Sequence, residues 1–344
     1  MSLVIGLAES GWIPDMLVRL GIRHLVKQRL REEQALPATT KGLRTQALKD
    51  SVIALNTEEA NEQHYEVPTE FFQAALGPHL KYSACIYPSD SATLGEAERH
   101  TLELYKARLD IRDGDNVLDL GCGWGSFSLW LAQHNAEVNV TAVSNSATQR
   151  CYIEERIAAL GLTNLKVLTA DVNELDLPAE CFDKVISVEM FEHVRNYAAL
   201  MARISRWMKP EGSLFIHIFC HKTLLYPFEV EGASNWMAQN FFTGGLMPAA
   251  DTLLSFQDDL TFEEQWLHDG THYERTARHW LENMDAQADA VTPSLEQAYG
   301  AADASIWRQR WRMFFMACEE MFAYENGAQW QVAHYRFSKP ATQS

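Results

Sequence analysis

Val117-Leu118-Asp119-Leu120-Gly121-Cys122-Gly123-Trp124-Gly125 passes from an apolar segment into three glycines at alternate positions, and Ser126 to Gln133 continues as a helix. Such a turn serves a backbone that approaches a ligand too closely for a Cβ and aims helix N-terminal amides at it. A phosphate-binding dinucleotide site reads Gly-x-Gly-x-x-Gly with an acid near the end of the second strand. Here the third glycine comes one residue early and the acid, Asp119, stands on the first strand. A carboxylate there suits a cationic methionine moiety, met through water or directly. By itself the loop also fits an ordinary strand-to-helix turn.

The chain on either side supplies the context. Short β-branched runs at Asn116 to Leu120, Val138 to Val143, Leu165 to Leu168, Lys184 to Val188 and Ser213 to Ile218 alternate with helical stretches. That rhythm predicts an α/β fold whose parallel sheet carries helices on both faces. A helix over Ile306 to Tyr324 and a strand over Trp330 to Phe337 complete the core, and residues 222 to 295 break the rhythm with aromatics and two turn signals. They read as an insertion covering the ligand. The expected organisation is an N-terminal helical segment with a lid (1–105), a cofactor core (106–221), an inserted cap (222–300) and a closing helix and strand (301–344). Residues 16 to 32 form a basic amphipathic helix, expected to pack on the protein body rather than on a membrane.

Cofactor positions follow from the strand tips. Asp171 and Val172 come after the third strand, where a carboxylate accepts from an adenine amino group. The second tip, Ala142-Val143-Ser144-Asn145-Ser146, has no carboxylate, so Ser144, Asn145 and Gln149 are expected at the ribose.

Composition narrows the partners. With 47% hydrophobic and 22% charged residues and no low-complexity tract, the chain is a folded globular protein. Its net charge of −17 repels phosphate backbones and anionic lipid surfaces, which argues against nucleic acid as a partner, and no apolar run approaches the roughly 20 residues needed to cross a bilayer, so no stable membrane insertion is expected. The scattered cysteines and the lack of an export signal point to reduced thiols and the cytoplasm. A homodimer is left open.

Longer motifs carry a resemblance that runs from about Tyr65 to Phe337. Leu118 to Gly125, Glu189-Met190-Phe191-Glu192-His193-Val194-Arg195-Asn196-Tyr197, Phe241-Phe242-Thr243-Gly244-Gly245-Leu246-Met247-Pro248 and Tyr324-Glu325-Asn326-Gly327-Ala328-Gln329-Trp330 look like the plant coclaurine N-methyltransferases, in matching order. These belong to the wider cyclopropane fatty acid synthase superfamily, whose cofactor lid resembles Tyr82-Ser83-Ala84-Cys85. The resemblance implies a Rossmann-like class I methyltransferase with a mostly parallel seven-stranded sheet, S-adenosyl-L-methionine as cofactor, and Tyr82, Ser83, Asp119, Gly121 and Gly123 among its contacts. Glu192, His217 and Tyr273 match synthase site positions, but the bicarbonate-binding cysteine of the synthases falls at Ala84, with Cys85 one residue displaced. Cyclopropanation is therefore the rival reading.

An alkylamine has an ammonium pKa near 10 and must lose a proton before it attacks a sulfonium. Glu192 and His193 are the leading acid–base pair, with Glu189 beside them. The resemblance adds Tyr65 and Glu66 at a small amine, coclaurine-like or another cyclic or aryl-alkyl amine. Phe242, Tyr273 and Trp330 are candidates for an aromatic cage around it, although most such rings serve cores. His217 and His221 offer too few convergent ligands for zinc, so no metal is expected. A cofactor-binding sensor without catalysis is the remaining alternative.

Overall fold

The computed structural model describes residues 3–54, 67–228 and 236–340; Tyr65 and Glu66 lie outside them. Seven strands form the main sheet: β1 (Asn116–Leu120), β2 (Asn139–Ser144), β3 (Leu165–Thr169), β4 (Phe182–Val188), β5 (Met208–His221), β8 (Thr261–Asp269) and β9 (Trp330–Ser338). Their order is β3-β2-β1-β4-β5-β9-β8. The first five are parallel neighbours, and β9 runs antiparallel to both β5 and β8. The parallel strands read as continuous apolar runs because helices cover both of their faces. Leu118, Val185 and Ile216 are fully buried in one layer, and Val117, Ile186 and Phe215 in another.

Strand order reverses between β1 and β4. A crevice opens there at the carboxyl ends of the strands, as it does in doubly wound sheets generally. The glycine loop leaves β1 at this point and Glu189 follows β4. Local capping fixes the flanking helices. Thr93 and Glu96 form a reciprocal capping box that starts helix Leu94–Leu109, which carries Tyr105 and Arg108. The Ser146 hydroxyl accepts from the Gln149 backbone N–H and starts helix Ala147–Leu160.

The segment read wholly as a cap is corrected in one respect: its residues 261 to 269 are β8, the outer strand of the main sheet. Glu263, Glu264 and Asp269 suit an edge facing solvent, and a register shift between Phe262 and Glu264 disturbs the alternation that would have announced a strand. The rest of the segment supplies a ribbon, β6 (Tyr226–Pro227) with β7 (Leu246–Met247), and the helices Thr271–Ala286 and Ala288–Tyr299. β5 also runs beyond the expected Ser213 to Ile218, because its end pairs with β9 as far as His221 opposite Trp330.

The basic amphipathic helix spans Asp15–Gln34 and packs on helix Ala304–Phe322. Arg19 bonds Glu319 at 2.7 Å and Glu320 at 2.9 Å, while Arg312 reaches back to Asp15 at 2.6 Å. Among the described residues no helix is long and apolar enough to cross a membrane.

Candidate active site

Two adjoining cavities occupy the switch point. The first is lined by the glycine loop, Asp119, Ser144, Asn145, Gln149, Val172, Tyr82 and Ser83. The second is aromatic and lies under the cap, with Phe219, Phe242, Tyr273, Trp280, Phe314 and Phe322 in its wall. Tyr82, Glu189 and His193 line both and so mark the junction.

The first cavity fits the expected cofactor on its own chemistry. Gly123 has φ 53°, and a Cβ built there meets no atom within 4 Å because it projects into the open space. Gly121, at φ 81°, has no such room: a Cβ would lie 2.7 Å from Met190. Gln149 Nε2, Trp124 Nε1 and Ser126 Oγ are buried in this wall without a hydrogen-bond partner among the described residues. Buried polar groups are seldom left so, and a polar ligand would satisfy them. Gln149 is held by Ser144 Oγ, which donates to its Oε1 at 2.6 Å. Asp119 is 2% exposed; burial raises its pKa to about 6 against the bond it accepts from Ser128 Oγ at 2.6 Å. A bound cation would draw that pKa back down. Asp171 is the exception among the expected contacts. Its neighbours Ala170 and Val172 line the cavity, while its own Oδ1 accepts from the Asn173 backbone N–H at 2.6 Å.

At the junction Glu189 has φ 46°, a left-handed conformation that a β-carbon resists and that concentrates at functional sites. Its carboxylate is held from three sides. Oε1 accepts from the Ala84 backbone N–H at 2.8 Å and from His217 Nε2 at 3.1 Å, and Oε2 accepts from the Tyr273 hydroxyl at 2.8 Å. Burial opposes ionisation, but the bond from His217, the nearby Lys81 and the Ala84 N–H outweigh it and hold Glu189 below the usual carboxylate range. Burial lowers His193 to about 4, which leaves a neutral imidazole against the Phe242 ring, 4.6 Å between centroids.

Glu192 stands elsewhere than expected. It lines neither cavity, is fully buried, and accepts from the Phe219 backbone N–H at 2.7 Å through Oε1. Burial, then the Glu189 charge, push its pKa well above the ordinary value, which favours the neutral carboxyl in its place behind the wall. The one-turn 3-10 helix Phe191–His193 turns it inward while Glu189 and His193 face the cavities. Trp330 is corrected likewise. Its indole is buried outside both cavities and donates to the Tyr226 hydroxyl at 2.9 Å, tying β9 to the ribbon. His221 Nδ1 accepts from the Thr223 and Leu224 backbone amides. No group of three or more potential ligands converges on a metal site among the described residues. Lys81, 2% exposed and lining the first cavity, was not singled out in the sequence, where only its place beside Tyr82-Ser83 hinted at it.

The profile of the mycolic acid cyclopropane synthetases matches residues 54–332. The chain belongs to the mycolic acid cyclopropane synthetase family. Within it, the (S)-coclaurine N-methyltransferase of Thalictrum flavum subsp. glaucum is 37% identical over 342 residues, spanning 96% of this chain and 94% of that one. The cyclopropane-fatty-acyl-phospholipid synthase of Escherichia coli (strain K12) is more distant, 28% identical over 278 residues that cover 80% of this chain and 67% of the relative. Among solved structures, coclaurine N-methyltransferase bound to N-methylheliamine and S-adenosylhomocysteine superposes with a TM-score of 0.93 at 36% identity, covering 98% of this chain and 99% of that one. This member of the cyclopropane synthetase family is an S-adenosylmethionine-dependent N-methyltransferase with the class I fold.

Proposed function

We propose that the acceptor is a secondary or tertiary amine carried on an aromatic ring system, of the benzylisoquinoline type, bound in the aromatic cavity with its nitrogen at Glu189 and His193. The observation that carries this reading is the Glu189 carboxylate. The resemblance puts the bicarbonate-binding cysteine of the synthases at Ala84 and matches Glu192, His217 and Tyr273 to synthase site positions; here the Ala84 backbone N–H and the His217 and Tyr273 side chains bond Glu189. A fixed anion in that place attracts an ammonium and disfavours the phosphate of a lipid headgroup.

Bound cofactor supplies an electrophilic methyl group on a sulfonium. Asp119, Gln149 and the glycine loop would hold it in the first cavity. In the second, the rings around Phe242 and Tyr273 orient the amine and exclude water, and cation–π attraction adds to the Glu189 charge. His193, neutral at working pH, takes the ammonium proton on a ring nitrogen or passes it to Glu189. Deprotonation leaves the nitrogen lone pair free to take the methyl group that bound cofactor would supply, with the sulfur keeping the electrons of the bond that breaks. The Tyr82 ring stands at the junction of the two cavities. Methyl label incubated with a panel of tetrahydroisoquinoline amines and, separately, with vesicles of unsaturated phospholipid is expected only in the amines. Label only in lipid overturns the proposal.

A second expectation follows from Cys85. The thiol is fully buried, lines neither cavity, and is pushed up to about 12 by burial. Cys85→Ser is expected to keep most amine methylation, and depletion of bicarbonate to leave the rate unchanged. A strong bicarbonate requirement in the same assay would return the protein to the cyclopropane synthases.

A further inference from the structure

Beyond Glu189 a line of polar side chains crosses the sheet away from both cavities. Antiparallel pairing sets His217 on β5 opposite His334 on β9, and both imidazoles are fully buried. His334 Nε2 lies 2.9 Å from His217 Nδ1, and Arg108 Nη1 bonds His334 Nδ1. The same Nη1 is 3.0 Å from His268 Nε2 on β8, and the guanidinium lies over the Trp266 ring at 4.6 Å.

The donors in this line have one assignment. A guanidinium only donates, so His334 Nδ1 accepts and a neutral His334 carries its proton on Nε2. That N–H points at His217 Nδ1, which therefore accepts, sharing its lone pair with the Tyr105 hydroxyl at 2.7 Å. His217 is left with its proton on Nε2, and that N–H donates to Glu189 Oε1. We infer that Arg108 is a positioning residue for methyl transfer: acting through His334, it fixes the His217 tautomer that keeps Glu189 anionic and correctly aimed. The inference rests on the reading of Glu189 as the anion that meets the amine.

Other charges surround the line. Lys81, Cys85 and Glu98 approach it from the lid side, Tyr105 and Asp119 from the helix and strand beside it, and His268, Asp269 and Glu264 from β8. Glu192, His193, Tyr273 and Cys318 face Glu189 from the cap side. None of them touches His334 Nδ1, which Arg108 alone occupies among the described residues. Burial keeps both histidines neutral and leaves Arg108, at about 10, still cationic at neutral pH.

Three variants test the line. Arg108→Met frees the His334 tautomer and is expected to lower turnover roughly 10- to 100-fold, as when the second partner of a working histidine is lost. Its S-adenosylhomocysteine affinity should not change. The acid limb of the rate profile should move up by about one unit, since a carboxylate that loses a donor to its charged form binds protons more tightly. His334→Leu should behave alike, whereas His334→Gln should retain most activity, because its carbonyl accepts from Arg108 and its amide N–H donates to His217. Imidazole 15N shifts in 15N-histidine-labelled protein should report His217 as the Nε2–H tautomer. An Arg108→Met protein with wild-type rate and acid limb, equal losses in both His334 variants without a pH shift, or an Nδ1–H His217 in the unmodified protein would overturn the inference. The tautomer measurement needs no variant to fold. Glu189→Gln separates the two claims: full activity in that variant removes the reading of Glu189, while the nitrogen shifts still decide whether Arg108 sets the tautomer.

Discussion

Glu189→Gln is expected to reduce methyl transfer by roughly 10²- to 10⁴-fold, the range that general acid–base groups contribute, with cofactor affinity intact. An amide carbonyl in the place of Oε1 can still accept from Ala84 and His217, but the negative charge is gone and the NH2 then faces the Tyr273 hydroxyl; turned the other way, the NH2 would be set against both N–H donors. Glu192→Gln is the matching control. Glu192 lies outside both cavities with its pKa raised by burial, and its bond from the Phe219 N–H survives in an amide, so the loss should be small by comparison. Turnover, KM for the amine and titration with S-adenosylhomocysteine measure the contrast. Equal damage from the two substitutions would return Glu192 to the wall. The pH profile follows with its sign. Glu189 titrates below the usual carboxylate range and His193 at about 4, so both are deprotonated above about 5 and the acid limb of the wild-type profile lies below that. His193→Ala keeps the anion but loses the first acceptor. Its rate should recover in part as the pH climbs towards the amine's own pKa, near 10.

Gly123→Val is expected to abolish measurable cofactor binding without unfolding the protein. The backbone at φ 53° strains any β-branched residue, and the added side chain would enter the cavity rather than a neighbour, since nothing lies within 4 Å of a Cβ there. Calorimetric titration beside a circular dichroism melt reads both quantities. A folded variant with unchanged affinity would show that the loop holds something else. Gly121 makes a poorer probe. Its Cβ would strike Met190, next to Glu189, and mix a binding defect with a displaced site.

The parallel half of the sheet was legible in the sequence because buried strands are written as unbroken apolar runs. The glycine loop was legible because its backbone needs leave few choices of residue. β8 was obscured by its glutamates and its register shift, both of which belong to a solvent-facing edge. In the site, Glu189-Met190-Phe191-Glu192-His193 announced a carboxylate and an imidazole, but which of the two acids faces the ligand depends on a left-handed turn at Glu189 and a single 3-10 turn after it. Neither leaves a mark in composition. Trp330 misled for the opposite reason: a large aromatic ring in a matching motif fits a buried strand end as readily as a cage. The line from Arg108 to Glu189 joins residues 81 positions apart through β9, and only strand register brings them together.

β8 also determines how this sheet meets other chains. An outermost strand offers unpaired backbone N–H and C=O groups to any extended segment, the usual route to sheet extension and aggregation. Here Glu263 is tied to Arg336 at 2.6 Å and Glu264 approaches it at 3.5 Å, while the register shift between Phe262 and Glu264 breaks the straight ladder a newcomer would need. Docking a strand on this side means desolvating those carboxylates and matching an irregular template. The protection has an electrostatic basis, so salt that screens the carboxylates weakens it, and the strand that guards the sheet against other chains takes no part in methyl transfer.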